Sequence, residues 1–247
     1  MGKIIAIGGG ELKDLETFSI DEEVVKLTGK KNPRALFIPT ASGDSEGYCE
    51  TFKQVYGEKL GCKTDVLRLI KETPSEEEIR SKIMDSDLIY VGGGNTQAML
   101  EKWKELGVDN LLKRAYAKGI VLSGLSAGAI CWFKYGCSDA PKFADANDKK
   151  LIRINGLGLV NLTLSPHHIR ESHRDEGLTK IMKTTPGVGI GLDDNCALEI
   201  VDGTYRIIRS NETVGAKKVF YKNDKPVSKR IEVYEDFLLM ESLVKKY

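Results

Sequence analysis

Ile120-Val121-Leu122-Ser123-Gly124-Leu125-Ser126-Ala127-Gly128 runs from a short apolar, β-rich segment through a G-x-S-x-G turn. Residues 129–133 follow directly and suit a helix. A strand, a tight turn and a helix in immediate succession form the building step of a parallel sheet covered by helices. The same three pieces make a nucleophile elbow. The turn holds Ser126 in strained backbone geometry, and small flanking residues let strand and helix approach closely. The Ser126 hydroxyl then stands at the carboxyl edge of the sheet. The amide of Ala127, at the helix N-terminus, points toward the place where an oxyanion forms.

Working outward, four more short apolar runs read as strands: residues 3–7, 35–38, 64–69 and 88–91. Amphipathic stretches at 50–60 and 75–84 separate them, with a helical pair at 97–106 and 108–118 broken at Gly107. Pro74-Ser75 followed by Glu78 is a capping-box start. Leu88-Ile89-Tyr90-Val91 is apolar without interruption, as a strand buried on both faces must be. The last third reads differently. Residues 197–201 and 204–208 flank Asp202-Gly203, a two-residue hairpin turn. Residues 219–221 and 230–233 read as short antiparallel strands at one edge. No linker-like shift in composition, repeat or low-complexity segment interrupts the chain. The expectation is a single domain over residues 1–247: α/β, with a doubly wound, mostly parallel sheet, helices on both faces and a small antiparallel C-terminal edge. Ligand should bind beyond the carboxyl ends of the strands.

Composition narrows the function. The chain has 247 residues, 41% apolar and 30% charged, enough to bury a core. Lys and Arg number 37 against 36 Asp and Glu, a balance that argues against a basic nucleic-acid face or a polybasic membrane anchor. The longest uncharged stretch, residues 119–133, falls short of the ~18–20 residues of a spanning helix. The opening Met1-Gly2-Lys3 does not read as a signal peptide, and Ala6 excludes a myristoylation signal. Five cysteines at irregular spacing, with no CxxC, predict free thiols in a reducing cytosol. No metal or organic cofactor is implied. The three histidines sit together, far from any close pair of cysteines.

A nucleophilic serine needs a base. Ser165-Pro166-His167-His168 follows the apolar residues 157–164, so His167 or His168 is the candidate. His173 falls in the charged run Arg170-Glu171-Ser172-His173-Arg174-Asp175-Glu176, which reads as a solvated helix start. The base needs an orienting carboxylate. Asp139 is one candidate, and the pair Asp193-Asp194, after the apolar residues 188–192, is the other. Spacing does not decide between them. Gly92-Gly93-Gly94-Asn95-Thr96 follows the run at 88–91. Gly94 can lend a second amide to the oxyanion, while Asn95 borders the site or caps the next helix. Gly8-Gly9-Gly10-Glu11 lacks the third glycine of a dinucleotide fingerprint, so its turn makes room for a ligand or a neighbour.

Four motifs carry a family resemblance: Phe37-Ile38-Pro39-Thr40-Ala41-Ser42, Val91-Gly92-Gly93-Gly94-Asn95-Thr96, Gly124-Leu125-Ser126-Ala127-Gly128-Ala129 and Pro166-His167. In this order they resemble the peptidase E and cyanophycinase family of serine peptidases. The resemblance implies a class I glutamine-amidotransferase-like fold, a flavodoxin-like three-layer sandwich. It implies Ser126 as nucleophile, His167 as base, Gly94 as oxyanion donor and Asp139 as the acid. Peptidase E cleaves dipeptides starting with Asp, and cyanophycinase cleaves β-aspartyl-arginine polymers. Ser165-Pro166 before His167 is closer to the peptidase E pattern.

The expected function is a cytoplasmic serine peptidase acting on short peptides through an acyl-enzyme, as a monomer or homodimer. The same residues could serve an amidase or esterase on non-peptide substrates, or a binding protein that kept the scaffold. Arg170 and Arg174, four residues apart on one helix face, could read an acidic side chain or a C-terminal carboxylate. Alternatively both pair with Glu171, Asp175 and Glu176 on a solvated surface.

Overall fold

The apolar run Lys3–Ile7 forms β1, and its side chains divide by parity. Ile5 and Ile7 enter one apolar cluster, Ile4 and Ala6 the other. Successive side chains of a strand point to opposite faces, so a strand apolar on both must be covered on both. The structure, a computed structural model, describes residues 2–246. It continues through β2 (Arg34–Ile38), β3 (Lys63–Val66), β4 (Leu88–Val91) and β5 (Val121–Leu125). These strands lie in the order β1-β5-β4-β2-β3, with each adjacent pair parallel.

Helices cover both faces. On the Ile5 side lie α1 (Phe18–Lys26) and α2 (Glu46–Phe52), which continues as a π-helical stretch, Lys53–Lys59. On the Ile4 side lie α3 (Glu76–Met84), α4 (Thr96–Glu105) and α5 (Val108–Lys118). The expected cap is present: Ser75 Oγ accepts from the Glu78 amide. Gly107, at φ 70°, makes the break between α4 and α5.

The elbow helix departs from the sequence reading. α6 (Ala127–Ile130) is a single turn, and β6 (Phe133–Ser138) begins where the helix was expected to continue. Cys131, Trp132 and Phe133 are all wholly buried, so no face of this segment is available to solvent. The segment passes between two sheets and is tied by Leu157 and Leu159, whose amides donate to the carbonyls of Cys131 and Trp132.

The expected antiparallel edge is present, and a second sheet lies beside it. The remaining elements are β7 (Ile152–Asn155), β8 (Val160–Ser165), α7 (Arg174–Thr184), β9 (Gly189–Leu192), β10 (Cys196–Val201), β11 (Thr204–Arg209), β12 (Ala216–Lys222), β13 (Lys225–Ile231), β14 (Leu238–Leu239) and α8 (Met240–Val244). β10, β11 and β14 extend the first sheet beyond β1, each antiparallel to its neighbour. The β10–β11 turn is the predicted one, with Asp202 and Gly203 both at positive φ. β12 and β13 do not join that edge. They belong to a second sheet, β13-β12-β9-β8-β6-β7, whose β6-β8-β9 centre is parallel. Leu164, Ile190, Leu192 and Phe220 from this sheet share a cluster with Ile4, Leu36 and Ile89 from the first. The second sheet therefore packs on the Ile4 face. Among the described residues, no helix is long and apolar enough to cross a membrane.

One buried carboxyl makes the fold sensitive to pH. Asp21 in α1 is wholly buried and accepts from Thr17 Oγ1 at 2.8 Å and Tyr56 Oη at 2.7 Å. Burial pushes its pKa up to about 7 against the lowering effect of those hydroxyls. A pKa raised on folding gives stability that is full below the unfolded value, 3.8, and lost as pH rises through the folded one. The wild-type advantage over Asp21→Asn should therefore shrink from acid to neutral pH. Urea midpoints for both proteins across that range test this, and parallel pH curves would refute it.

Candidate active site

The carboxyl ends of β1, β4 and β5 open on the same side of the first sheet, and the loops after β8 and β9 of the second sheet meet them there. Ser126 follows β5 at φ 57°, ψ −110°, a conformation that L side chains rarely adopt. The elbow depends on glycine next to it. A Cβ on Gly128 would lie 2.0 Å from the Val91 carbonyl oxygen, so any side chain there would drive α6 off β4. Ala127 is the first residue of α6, where a backbone N–H has no intrahelical acceptor.

His167 follows β8 and also has a left-handed backbone, φ 61°. Its Nε2 lies 2.8 Å from Ser126 Oγ, and its Nδ1 lies 2.7 Å from Asp194 Oδ1. Asp194 comes from the short connection between β9 and β10. That connection is pinned to the turn after β1: the Asn195 amide donates to the Gly9 carbonyl, and the Gly8 amide to the Cys196 carbonyl. Gly9 passes directly against the pair. A Cβ there would fall 1.8 Å from Asp194 Oδ1 and 2.4 Å from His167 Nδ1. The glycine run after β1 thus makes room for a neighbour, and the neighbour is this hydrogen bond. Burial raises the Asp194 pKa, but the His167 hydrogen bond and the charges of His167 and Arg170 outweigh it and hold the carboxyl below its usual value.

Asp139 is not in this constellation. It follows β6, and its Oδ2 accepts from Arg174 Nη2 at 3.0 Å and pairs with Lys142. Burial pushes its pKa up, yet the Lys142 hydrogen bond and the Arg174 and Lys142 charges leave it lowered. The carboxylate beside His167 is Asp194, the second of the two acidic candidates. Arg174 is likewise withdrawn. It is 1% exposed, and it donates to Glu171 at 2.6 Å, to Asp139 and to the Cys137 carbonyl at 3.2 Å. An arginine buried among these acceptors holds α7 to β6 and does not line the cleft. His168 faces away from Ser126, with Nδ1 on Asp175 at 2.6 Å and Nε2 on Ser165 at 2.8 Å. Burial drives its pKa down to about 4. Asn95 caps α4 through its side chain, which accepts from the Ala98 amide at 3.1 Å. Asp193 accepts from the Gly215 amide at 2.8 Å. All five cysteines are buried and free, and burial pushes the Cys137 thiol up.

A cleft of about 460 Å³ opens over Ser126 and His167. Its walls include Gly10, Glu11, Leu12 and Lys13 from the turn after β1, Tyr48 and Thr51 from α2, Gly93 from the turn after β4, and Arg170. Gly93 lines it; Gly94, at φ 139°, packs behind against the Ala41 carbonyl. Tyr48 and Thr51 carried no sequence signal, because α2 reaches the cleft only through the packing of the first sheet.

Residues 4–208 match the sequence profile of peptidase family S51. The chain belongs to peptidase family S51. Membership makes it a serine-type peptidase. It is 34% identical over 222 residues to the uncharacterized peptidase YgaJ of Bacillus subtilis (strain 168), covering 89% of this chain and 92% of that one. It is 25% identical over 210 residues to peptidase E of Nostoc sp. (strain PCC 7120), covering 80% and 81%. The crystal structure of a peptidase from an acI-B1 Actinobacterium has the same fold, with a TM-score of 0.69 over 97% of both chains at 19% identity.

The contact at Gly9 can be tested without turnover. A proton held between an imidazole nitrogen and a carboxylate resonates far downfield in NMR. That resonance should be present in the wild-type S51 chain and missing from a folded Gly9→Ala variant. Its persistence would mean that the turn relaxes around the new methyl.

Proposed function

We propose that this S51 peptidase hydrolyses short peptides through an acyl-enzyme, with Ser126 as nucleophile, His167 as general base and Asp194 as the orienting acid. The observation that carries this reading is the unbroken hydrogen-bond chain Asp194–His167–Ser126, opening on a cleft. Ser126 Oγ passes its proton to His167 Nε2 as it attacks the scissile carbonyl. Asp194 keeps Nδ1 protonated, which leaves Nε2 free to accept, and it stabilises the imidazolium that forms. The Ala127 amide and an amide of the Gly93–Gly94 turn receive the oxyanion. His167 then returns the proton to the leaving amine, and water reverses the sequence to free the acyl group.

Cleft size supports a short substrate, since about 460 Å³ lies in the small-ligand range. Of the two arginines considered, Arg170 alone lines the cleft. A carboxylate on the substrate would have to compete there with Glu11, Glu16 and Asp194, which already surround the guanidinium. Five unpaired cysteines support action in a reducing compartment such as the cytoplasm.

A fluorophosphonate should label Ser126 in the wild type and leave Ser126→Ala and His167→Ala unlabelled. Each of those two variants should lose about 10³-fold or more in kcat on a peptide-library hit. Asp194→Asn should fall by on the order of 10⁴-fold, as expected when the imidazole takes the wrong tautomer. Asp139→Asn should keep near-normal kcat but unfold at lower denaturant, because it leaves Arg174 buried with fewer acceptors. The opposite ranking of the two Asn variants would return the acid to Asp139, and an unlabelled wild type would refute the nucleophile.

Because every cysteine is buried, an alkylating reagent should leave activity intact on the timescale that abolishes it in a cysteine enzyme. Stoichiometric inactivation through Cys137 would replace the serine mechanism.

A further inference from the structure

The turn that passes under the His167–Asp194 pair continues into the cleft wall with Glu11. Its backbone is fixed, the amide donating to Glu16 Oε2 at 2.8 Å. Its carboxylate is held only loosely. Oε1 lies 3.4 Å from Arg170 Nη1, well beyond the ~2.7–2.9 Å of a charge-assisted hydrogen bond. Arg170 is shared: its Nη2 lies 3.7 Å from Glu16 and its Nε 3.6 Å from Asp194 Oδ2. Asp194 Oδ2 is buried, and the Arg170 backbone and guanidinium are what lie against that oxygen. Three carboxylates, Glu11, Glu16 and Asp194, share the one Arg170 guanidinium beside the cleft. Of the three, Glu11 is the most exposed, with 52% of its side chain open against 37% and 8%. An exposed ion pair at that distance is weak, so little is lost when a better donor replaces the guanidinium.

We propose that Glu11 determines specificity by taking the free α-ammonium of a short peptide, exchanging its loose contact with Arg170 for a direct ammonium–carboxylate hydrogen bond. This rests on the peptidase reading above. An α-amino group, with an ordinary pKa of ~7.7–8.0, is largely protonated at neutral pH, and every unblocked peptide carries one. It also lies on the carbon next to the first carbonyl. A carboxylate on the wall of the cleft that holds Ser126 therefore selects cleavage at the N-terminal end. Arg170, released from Glu11, stays on Asp194 and Glu16 and keeps the Asp194 carboxylate compensated while substrate is bound.

The test uses a neutral dipeptide or tripeptide hit with a free N-terminus, its N-acetylated form, and an N-acetylated form carrying a lysine. Wild type should prefer the free form in kcat/KM. In Glu11→Gln that preference should fall ~10-fold or more, mainly through KM, as loss of a charge-assisted hydrogen bond requires. Glu11→Asp, which keeps the charge, should recover part of it. Calorimetric binding of the free and acetylated peptides to Ser126→Ala, with and without Glu11→Gln, gives the same comparison without turnover. Equal affinity for both peptides in Ser126→Ala, or discrimination untouched by Glu11→Gln, would overturn the inference. So would a preference for the lysine peptide that Glu11→Gln removes, which would assign the carboxylate to a side-chain ammonium. Failure of Ser126 to take the fluorophosphonate while Glu11 still governs binding would sink the peptidase reading and leave the ammonium site standing.

Discussion

The hydrogen bond between His167 and Asp194 joins three segments that the chain order keeps apart. His167 comes from the end of β8, Asp194 from the β9–β10 connection, and the backbone at Gly9 from the end of β1. Its 2.7 Å length requires all three to approach at once. That approach is available only because the turn after β1 has no side chain where it crosses the pair. The second sheet has to sit where it does for the imidazole to reach Ser126 on the first. Packing of Leu164, Ile190 and Leu192 against Ile4 and Ile89 sets that position, so the apolar core and the polar site are one construction.

Two adjacent histidines show how environment assigns roles to one residue type. His167 links a carboxylate to a serine, and so does His168, through Asp175 and Ser165. The bond order is the same in both. Ser165 is wholly buried and His168 nearly so, whereas Ser126 opens on the cleft. Burial drives His168 down to about 4, so it stays neutral at physiological pH and ties β8 to the start of α7. No substrate can reach its serine. The left-handed backbone at His167 turns the two rings apart, sending one to each side of the loop. Ser126 and His167 both occupy conformations that cost on the order of 1–3 kcal/mol for L residues, which the surrounding packing must over-determine.

The residues of the parallel core announced themselves. Short, largely apolar strands alternating with amphipathic helices, one of them opened by the Ser75 cap, specify a covered sheet through local periods of 2 and 3.6. Gly124-Leu125-Ser126-Ala127-Gly128 specified the elbow because only small residues pass that close to β4, and the need for a base left two adjacent histidines. Asp202-Gly203 specified its hairpin because both positions need positive φ. Each of these signals is a constraint between residues near in sequence.

Only the tertiary structure decided what depends on distant partners. Val219 and its neighbours read as a strand from sequence, but strand propensity does not name the sheet that a strand joins, and β12 paired with β9 in the second one. Spacing left Asp139 and the pair Asp193-Asp194 open as acids for the histidine, and the family resemblance implied Asp139. What separated them was charge compensation in the fold. Arg174 and Lys142 hold Asp139 after β6, while the β9–β10 connection brings Asp194 under the imidazole. Arg174 read from sequence as a reader of substrate carboxylate or half of a surface pair and became the buried clamp of that arrangement, since a helix face gains its neighbours only when α7 docks. Carboxylates and guanidinium groups act over a few ångströms in three dimensions, and spacing along the chain carries that information only for residues on the same element.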